Sequence, residues 1–199
     1  MRTLYLVRHA ETAWNVDMRY QGQTDIPLND AGRKQAGELR ARIERRKVLF
    51  DPTLTAVITS DLSRARESAE IAFLVPGREH ILEPGLRELS YGKFEGLSRE
   101  EIKHNHAEEF ARFSRDQSFV IEGGEARATG RTRAIEAIER ALRTLPHGNV
   151  VAMTHGGIIR QLLLHTFQDG ELPTHIGFGN MSIHSIHIDE QGWTYAGSI

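Results

Sequence analysis

Apolar residues fall into two patterns along this chain: short runs cut off by polar residues, and longer stretches in which they return every third or fourth position. Leu4-Tyr5-Leu6-Val7, Ala56-Val57-Ile58 and Val150-Val151-Ala152-Met153 belong to the first kind. They are too short for helices and too evenly apolar for half-exposed strands, so they predict strands covered on both faces. The second pattern predicts helices. One runs from a cap at Asn29 or Asp30 to about Arg46 through Ala36, Leu39 and Ile43; the next passes through Leu62, Ala65, Ala69 and Ala72 and closes before Pro76-Gly77. A long one spans about Gly124 to Leu145, with Ile135, Ile138 and Leu142 on one stripe and Pro146-His147-Gly148 ending it, and a last one covers Ile158 to about Phe167. His80-Ile81-Leu82 predicts a short strand, and two more are expected at Ser182–Ile188 and Trp193–Ala196.

Strand and helix alternate, which implies a three-layer α/β/α sandwich with a mainly parallel central sheet. Ser98 to about Phe113 is helical but polar and lies outside the alternation, so residues 90–125 predict a small helical insertion over one end of the sheet. No repeat or linker breaks the chain, and its 199 residues are expected to form one domain, 1–199. Whether Met181–Ile188 is an inner or an edge strand is open, and with it the oligomeric state; a homo-oligomer is possible.

The three apolar runs end alike. Leu4–Val7 stops at Arg8-His9, Ala56–Ile58 at Thr59-Ser60 shortly before Arg64, and Val150–Met153 at Thr154-His155-Gly156-Gly157. In open α/β sheets, ligands bind beyond the carboxyl ends of the strands, so these residues are expected to share a pocket. Two arginines suit phosphate oxygens, and Gly156-Gly157 at a helix start offers backbone N–H groups to an anion. A neutral histidine among them can act as a nucleophile. Phosphoryl transfer through it requires charge stabilisation and one acid/base group.

Composition removes competing classes. With no cysteine, thiolate chemistry, disulfides and Cys-bound zinc are excluded. A formal charge of −2 gives no basic field for nucleic acid, and no apolar stretch approaches the ~20 residues that span a bilayer. No secretory leader is visible, so the expected setting is cytoplasmic. His104-Asn105-His106 and His184-Ser185-Ile186-His187 have metal-like spacing, yet neither pair shares a face, so both are read as surface histidines and no metal is expected. Gly124–Thr132 resembles a phosphate-binding loop one residue too long, and is read as a helix start. The charges of Arg40–Lys47 are read as a solvated helix face.

Arg8-His9-Ala10-Glu11-Thr12-x-Trp14-Asn15 resembles the signature of the histidine phosphatase superfamily, which includes the cofactor-dependent phosphoglycerate mutases. The resemblance continues in order through Arg19-Tyr20-Gln21-Gly22, Asp25–Leu28, Ala31-Gly32, Ser60–Ala65, Leu86–Gly92, Phe94–Gly96, Gly124-Glu125 and Thr154–Gly157. It implies that His9 becomes phosphohistidine, that Arg8, Arg64 and His155 bind the phosphoryl group, and that Glu88 is the acid and base. Asn15 matches a phosphate contact, Gln21 and Gly22 match a loop closing over the substrate, and the Gly156 N–H is a further donor. No cofactor is implied; the partners are a small phosphorylated substrate and inorganic phosphate.

Two departures stand out: Ala10 replaces the usual Gly, costly if that position needs positive φ, and Ala126 replaces a frequent Ser. Glu11, Glu83 and Glu95 compete with Glu88 for the proton-transfer role. Size and the Leu86–Gly92 block resemble the α-ribazole and broad-specificity phosphatase branch. A phosphomonoesterase is therefore the leading expectation, since mutases of the family tend to be longer and to carry a paired-Arg insertion. A mutase, or a non-catalytic domain binding phosphate or a phosphoprotein, are the alternatives. In the insertion, Arg99, Lys103, His104, Arg112 and Arg115 are either solvated surface or a lid for a second anion.

Overall fold

A computed structural model describes residues 1–46, 54–74, 78–145, 148–168 and 170–199. The helix stops read at Pro76-Gly77 and Pro146-His147, and Lys47 of the charge run, lie outside the described residues. Six strands form one sheet: β1 (Arg2–Arg8), β2 (Leu54–Thr59), β3 (Glu79–Leu82), β4 (Asn149–Thr154), β5 (Ile183–Asp189) and β6 (Gly192–Ser198), in the order β3-β2-β4-β1-β5-β6. Pairing is parallel from β3 through β1 and antiparallel across β5 and β6. The segment left open by its sequence is thus an inner strand.

Period-two alternation splits each apolar run between two cores. Leu4, Leu6, Ala56, Ile58, Val150 and Ala152 pack on one face against Ala134, Ile138, Ile158 and Leu162. Those residues belong to α6 (Arg127–Thr144) and α7 (Gly156–Thr166). Val7, Val57, Val151 and Met153 pack on the other face against Leu39, Ala65, Ala69 and Phe73, from α2 (Asp30–Arg46) and α3 (Ser63–Phe73). The three layers expected from the alternation are present.

Helix starts follow local chemistry. The Asn29 carboxamide accepts from Gly32 N–H at 2.7 Å, so Asn29 rather than Asp30 caps α2. Asp25 caps α3 from a distance, its Oδ1 accepting from both Ser63 N–H and Ser63 Oγ. Thr12 and Asn15 form a reciprocal capping box on the short α1 (Ala13–Val16).

Residues 98–115 are two helices, α4 (Arg99–Asn105) and α5 (Ala107–Arg115), broken at His106. Phe94, Ile102, Phe110 and Ile121 make a small core of their own there, joined by Tyr20, Tyr91 and Phe113. The histidines behave differently from one another. His104 is exposed, whereas His184 is fully buried because its strand is internal, and its Nδ1 lies 3.1 Å from Ser198 Oγ. The surface reading fails for His184.

Candidate active site

At the carboxyl ends of β1, β2 and β4 the structure forms a cleft of about 540 Å³. Eight of the nine residues expected there line it: Arg8, His9, Asn15, Gln21, Gly22, Arg64, Glu88 and Gly156. The ninth, His155, is fully buried behind them with its ring centroid 5.1 Å from that of His9.

His9 leaves β1 with its Nδ1 2.6 Å from the Ala10 carbonyl. A carbonyl only accepts, so Nδ1 carries the proton and Nε2 keeps its lone pair. Burial, then the nearby charges of Arg64 and Arg8, push the His9 pKa well below its ordinary 6.5. The same causes, burial first and Arg64 next, push His155 down as well. Both imidazoles are neutral at pH 7. Ser60 Oγ, which accepts from Leu62 N–H, lies 2.9 Å from His155 Nε2 and orients the ring. His155 Nδ1 has no partner.

Arg64, in the first turn of α3, is fully buried. Its Nη atoms donate to Thr24 and Gly22 carbonyls at 2.9 and 2.7 Å, while Nε has no partner. Arg8 Nη1 is anchored on the Phe178 carbonyl, and its Nε is likewise unpartnered. Burial lowers the pKa of both guanidiniums, opposed chiefly by Glu88, yet a guanidinium stays protonated in proteins. Asn15 Oδ1 accepts from Thr12 N–H at 3.1 Å, which turns its Nδ2 donors outward. Buried donors thus converge on the cleft without an acceptor, the arrangement an anion would complete.

Glu88 holds a position its sequence did not disclose. Its Oε2 accepts from Gly157 N–H at 2.9 Å, and its Oε1 accepts from Ile158 and Leu89 N–H at 3.1 and 2.9 Å. The acceptor seated on the first turn of α7 is therefore the Glu88 carboxyl group, which corrects the reading of Gly156-Gly157 as an open phosphate cradle; of that pair, the Gly156 N–H is left for a ligand. Oε2, with one donor, keeps a lone-pair site free. Arg133 fixes the backbone here by donating to the carbonyls of Gly85, Arg87 and Glu88 and to the Glu125 carboxylate. The rival carboxylates are committed elsewhere: Glu11 to Asn29, Glu83 to Gly85 N–H and Arg140, and Glu95 to the 23–24 and 90–91 segments.

Gly22 acts through its backbone. Its φ is +53°, and a Cβ there would lie 2.0 Å from Glu95 Oε1. Gly22→Ala is expected to cost about 1–3 kcal/mol in folding stability from the left-handed backbone alone. Displacing Glu95 would also loosen the carbonyls that hold Arg64, giving a roughly tenfold loss in kcat/KM; urea unfolding and steady-state kinetics measure the two effects. Ala10, in contrast, carries no such strain: it is absent from the left-handed non-glycine positions, Met18, Gln168 and Met181, and its N–H donates to Ser68 Oγ at 2.9 Å.

Neutral buried histidines make stability pH-dependent. Below 6.5 the unfolded chain gains protons on His9 and His155 that the folded chain does not, so unfolding becomes easier as pH falls. His80 and His184, lowered by burial, add in the same direction. His9 and His155, both fully buried, each steepen the loss by up to about 1.4 kcal/mol per pH unit within their windows. Melting temperature is expected to hold above pH 7 and drop from pH 6.5 to 5. Inorganic phosphate should blunt the drop by favouring the imidazolium forms; melts that are flat over this range would contradict neutral burial.

The cleft also holds residues that sequence reading passed over. Tyr91 and Arg160 line it; Asn180 Nδ2 donates to the His9 carbonyl at 2.9 Å; Ser60 orients His155. Ser60 and Tyr91 lay inside quoted motif blocks, which was the available signal. Of the insertion's basic residues, only Arg99 reaches the cleft wall.

A family profile described as "Histidine phosphatase superfamily (branch 1)" matches residues 4–198. Among sequence relatives, the metal-independent phosphoserine phosphatase of Arabidopsis thaliana is 31% identical over 96% of this chain and 78% of that protein. A probable phosphoglycerate mutase GpmB of Photorhabdus laumondii is 34% identical over 100% of this chain and 91% of its own. Among solved structures, Bacillus stearothermophilus YhfR superposes with a TM-score of 0.85 at 30% identity, covering 99% of this chain and 96% of that one.

Proposed function

The chain belongs to the histidine phosphatase superfamily, and from that membership we propose that it is a metal-independent phosphomonoesterase working through phosphohistidine on His9. The observation that carries this reading is the Nδ1 bond of His9 to the Ala10 carbonyl, which leaves Nε2 as the unprotonated nitrogen on the cleft wall.

In the first half-reaction, the Nε2 lone pair attacks phosphorus in line with the ester oxygen. The P–O bond breaks as the N–P bond forms, and protonated Glu88 gives its proton to the departing alkoxide, yielding the free alcohol and a Glu88 carboxylate. Arg8 and Arg64, with the Gly156 N–H and His155 Nδ1–H, take the charge on the equatorial oxygens. In the second half-reaction, the Glu88 carboxylate removes a proton from water, which attacks phosphorus and releases inorganic phosphate and neutral His9. The unpartnered Arg8 Nε and Arg64 Nε support this assignment, because each is a buried donor lacking an acceptor, and His155 Nδ1 is a third buried nitrogen without a partner, a donor in the tautomer that accepts from Ser60 Oγ.

The mutase reading differs only in the acceptor of the second step, an alcohol in place of water. It is favoured by the mutase name of a relative covering the whole chain. Rapid acid-free quenching with a ³²P-labelled phosphomonoester, in chelator, tests both. The expected result is an acid-labile, base-stable phosphoenzyme that is missing in His9→Ala and decays to inorganic phosphate. Label returning to an added phosphoacid instead would establish the mutase, and an acid-stable phosphoenzyme would overturn the phosphohistidine.

A further inference from the structure

Glu88 lies on neither a helix nor a strand. It follows a 3₁₀ turn, Pro84–Leu86, in a segment with no helix or sheet ladder to take its carbonyls. Shielded backbone of this kind needs partners from elsewhere, and here side chains supply them. Thr154 Oγ1 donates to the Leu86 carbonyl at 2.7 Å. Arg133, from α6, holds the neighbours on either side. Its Nη1 donates to the Gly85 and Arg87 carbonyls at 2.7 Å each, and its Nη2 to the Glu88 carbonyl at 2.8 Å, which Gln23 Nε2 also reaches at 3.2 Å.

Arg133 is fully spent in this role. A guanidinium has five N–H donors; the two that remain, on Nε and Nη2, bond Glu125 Oε1 and Oε2 at 2.7 and 2.8 Å. Only 22% of the arginine side chain and 14% of the glutamate side chain are exposed, so water does not compete freely for these bonds. Glu125 in turn donates its own N–H to the Ser90 carbonyl at 2.9 Å. The pair therefore grips the chain before and after Glu88. The planar fork matters here, because the three donors of a lysine sit on one nitrogen and cannot meet five acceptors spread around a plane.

The carboxyl end of Glu88 is tied to a different helix. First-turn N–H groups find no acceptor within their own helix, and those of Gly157 and Ile158 in α7 go to Glu88 Oε2 and Oε1. Glu88 is thus held between α6, through its carbonyl, and α7, through its carboxyl group. We propose that Arg133 is a positioning residue for proton transfer. By fixing the main chain at Glu88 it keeps the free side of Oε2 aimed at one point in the cleft, where the ester oxygen departs in the first step and water is activated in the second. This role rests on the acid/base reading of Glu88 and adds what sets its aim. A pair that only stabilised the fold would weigh on every ester alike. A positioning residue weighs on those esters whose leaving oxygen needs a proton.

The test is the ratio of kcat/KM for p-nitrophenyl phosphate to that for n-propyl phosphate, measured on one preparation of each variant. This parameter reports formation of the phosphoenzyme, in which the nitrophenolate departs without an acid and the alkoxide does not. An unfolded fraction lowers both rates equally and leaves the ratio unmoved. Glu88→Gln is expected to raise the ratio by about a hundredfold or more and Arg133→Met by roughly tenfold, with Arg133→Lys between Arg133→Met and wild type. Arg140→Gln, which removes an ion pair between the same helix and Glu83, should leave it unchanged. A ratio raised in Glu88→Gln but unmoved in both Arg133 variants would overturn the positioning role and leave the acid in place; a ratio unmoved in Glu88→Gln would overturn both. Hydrogen exchange gives a readout without substrate: the Gly157 and Ile158 N–H groups should exchange about tenfold faster in Arg133→Met, while the amides of β1 keep their wild-type rates. If neither ester is turned over, the phosphatase reading fails separately and exchange decides the positioning role, in Arg133→Lys where Arg133→Met does not fold; wild-type exchange at both amides would overturn it.

Discussion

His9→Asn is expected to lower kcat/KM for any phosphomonoester by about 10⁴-fold or more, a loss of roughly 5.5 kcal/mol or more of transition-state stabilisation. Asparagine is smaller than histidine and polar, so the buried position is kept without an unsatisfied charge. Arg8 and Arg64 do not depend on the imidazole for their anchors, which are the carbonyls of Phe178, Thr24 and Gly22. Binding of inorganic phosphate should consequently survive, within about tenfold, while turnover disappears. Kinetics and calorimetry on one preparation separate these quantities. Activity within tenfold of wild type would place the nucleophile on another residue and remove the proposed mechanism.

Glu88→Gln has the second largest expected effect, and its size depends on the ester. For an alkyl phosphate the leaving oxygen must be protonated as it departs, and losing the acid should cost about 10²–10⁴-fold. For p-nitrophenyl phosphate, whose phenolate leaves without help, the phosphorylation step should lose little, and the deficit should shift to hydrolysis of the phosphoenzyme. A burst of p-nitrophenol followed by slow steady release is the expected signature. Equal losses for both esters without a burst would make Glu88 a positioning residue. A stability cost is also built in: the glutamine can still accept at one oxygen, but its NH₂ would face a backbone N–H of Gly157, Ile158 or Leu89. Urea unfolding of the variant measures that separately from catalysis.

The layered fold was readable because it rests on local patterning. Runs such as Val150–Met153 alternate between two cores, and a strand buried on both faces leaves that mark in any sequence. The cleft was readable to the extent that its residues sit at strand ends or in ordered motif blocks, as His9 and Arg64 do. What stayed hidden were pairings between distant parts of the chain. The Glu88 carboxylate takes the first turn of α7 from 69 positions away, and Asn180 reaches the His9 carbonyl from 171. Neither contact has a local periodicity to announce it. His184 was misread for a similar reason: its burial follows from β5 lying between β1 and β6, a property of strand order and not of spacing. Arg160 drew no reading, because nothing local to its helix places it on the cleft wall.

The strand order has a consequence for how the molecule comes into being. β1, which ends at Arg8 with His9 just beyond it, is flanked by β4 and β5, and Leu4 pairs with Val150 and Ile186. During synthesis β1 leaves the ribosome before either of its sheet neighbours, because β4 and β5 lie far later in the chain. Over that interval its apolar run waits in solution or in the hands of a chaperone, and long-range parallel pairing of this kind is slow to form. His9 gains its buried, neutral state only when β4 and β5 close the sheet around the strand before it, so that the nucleophile proposed above is made by folding itself.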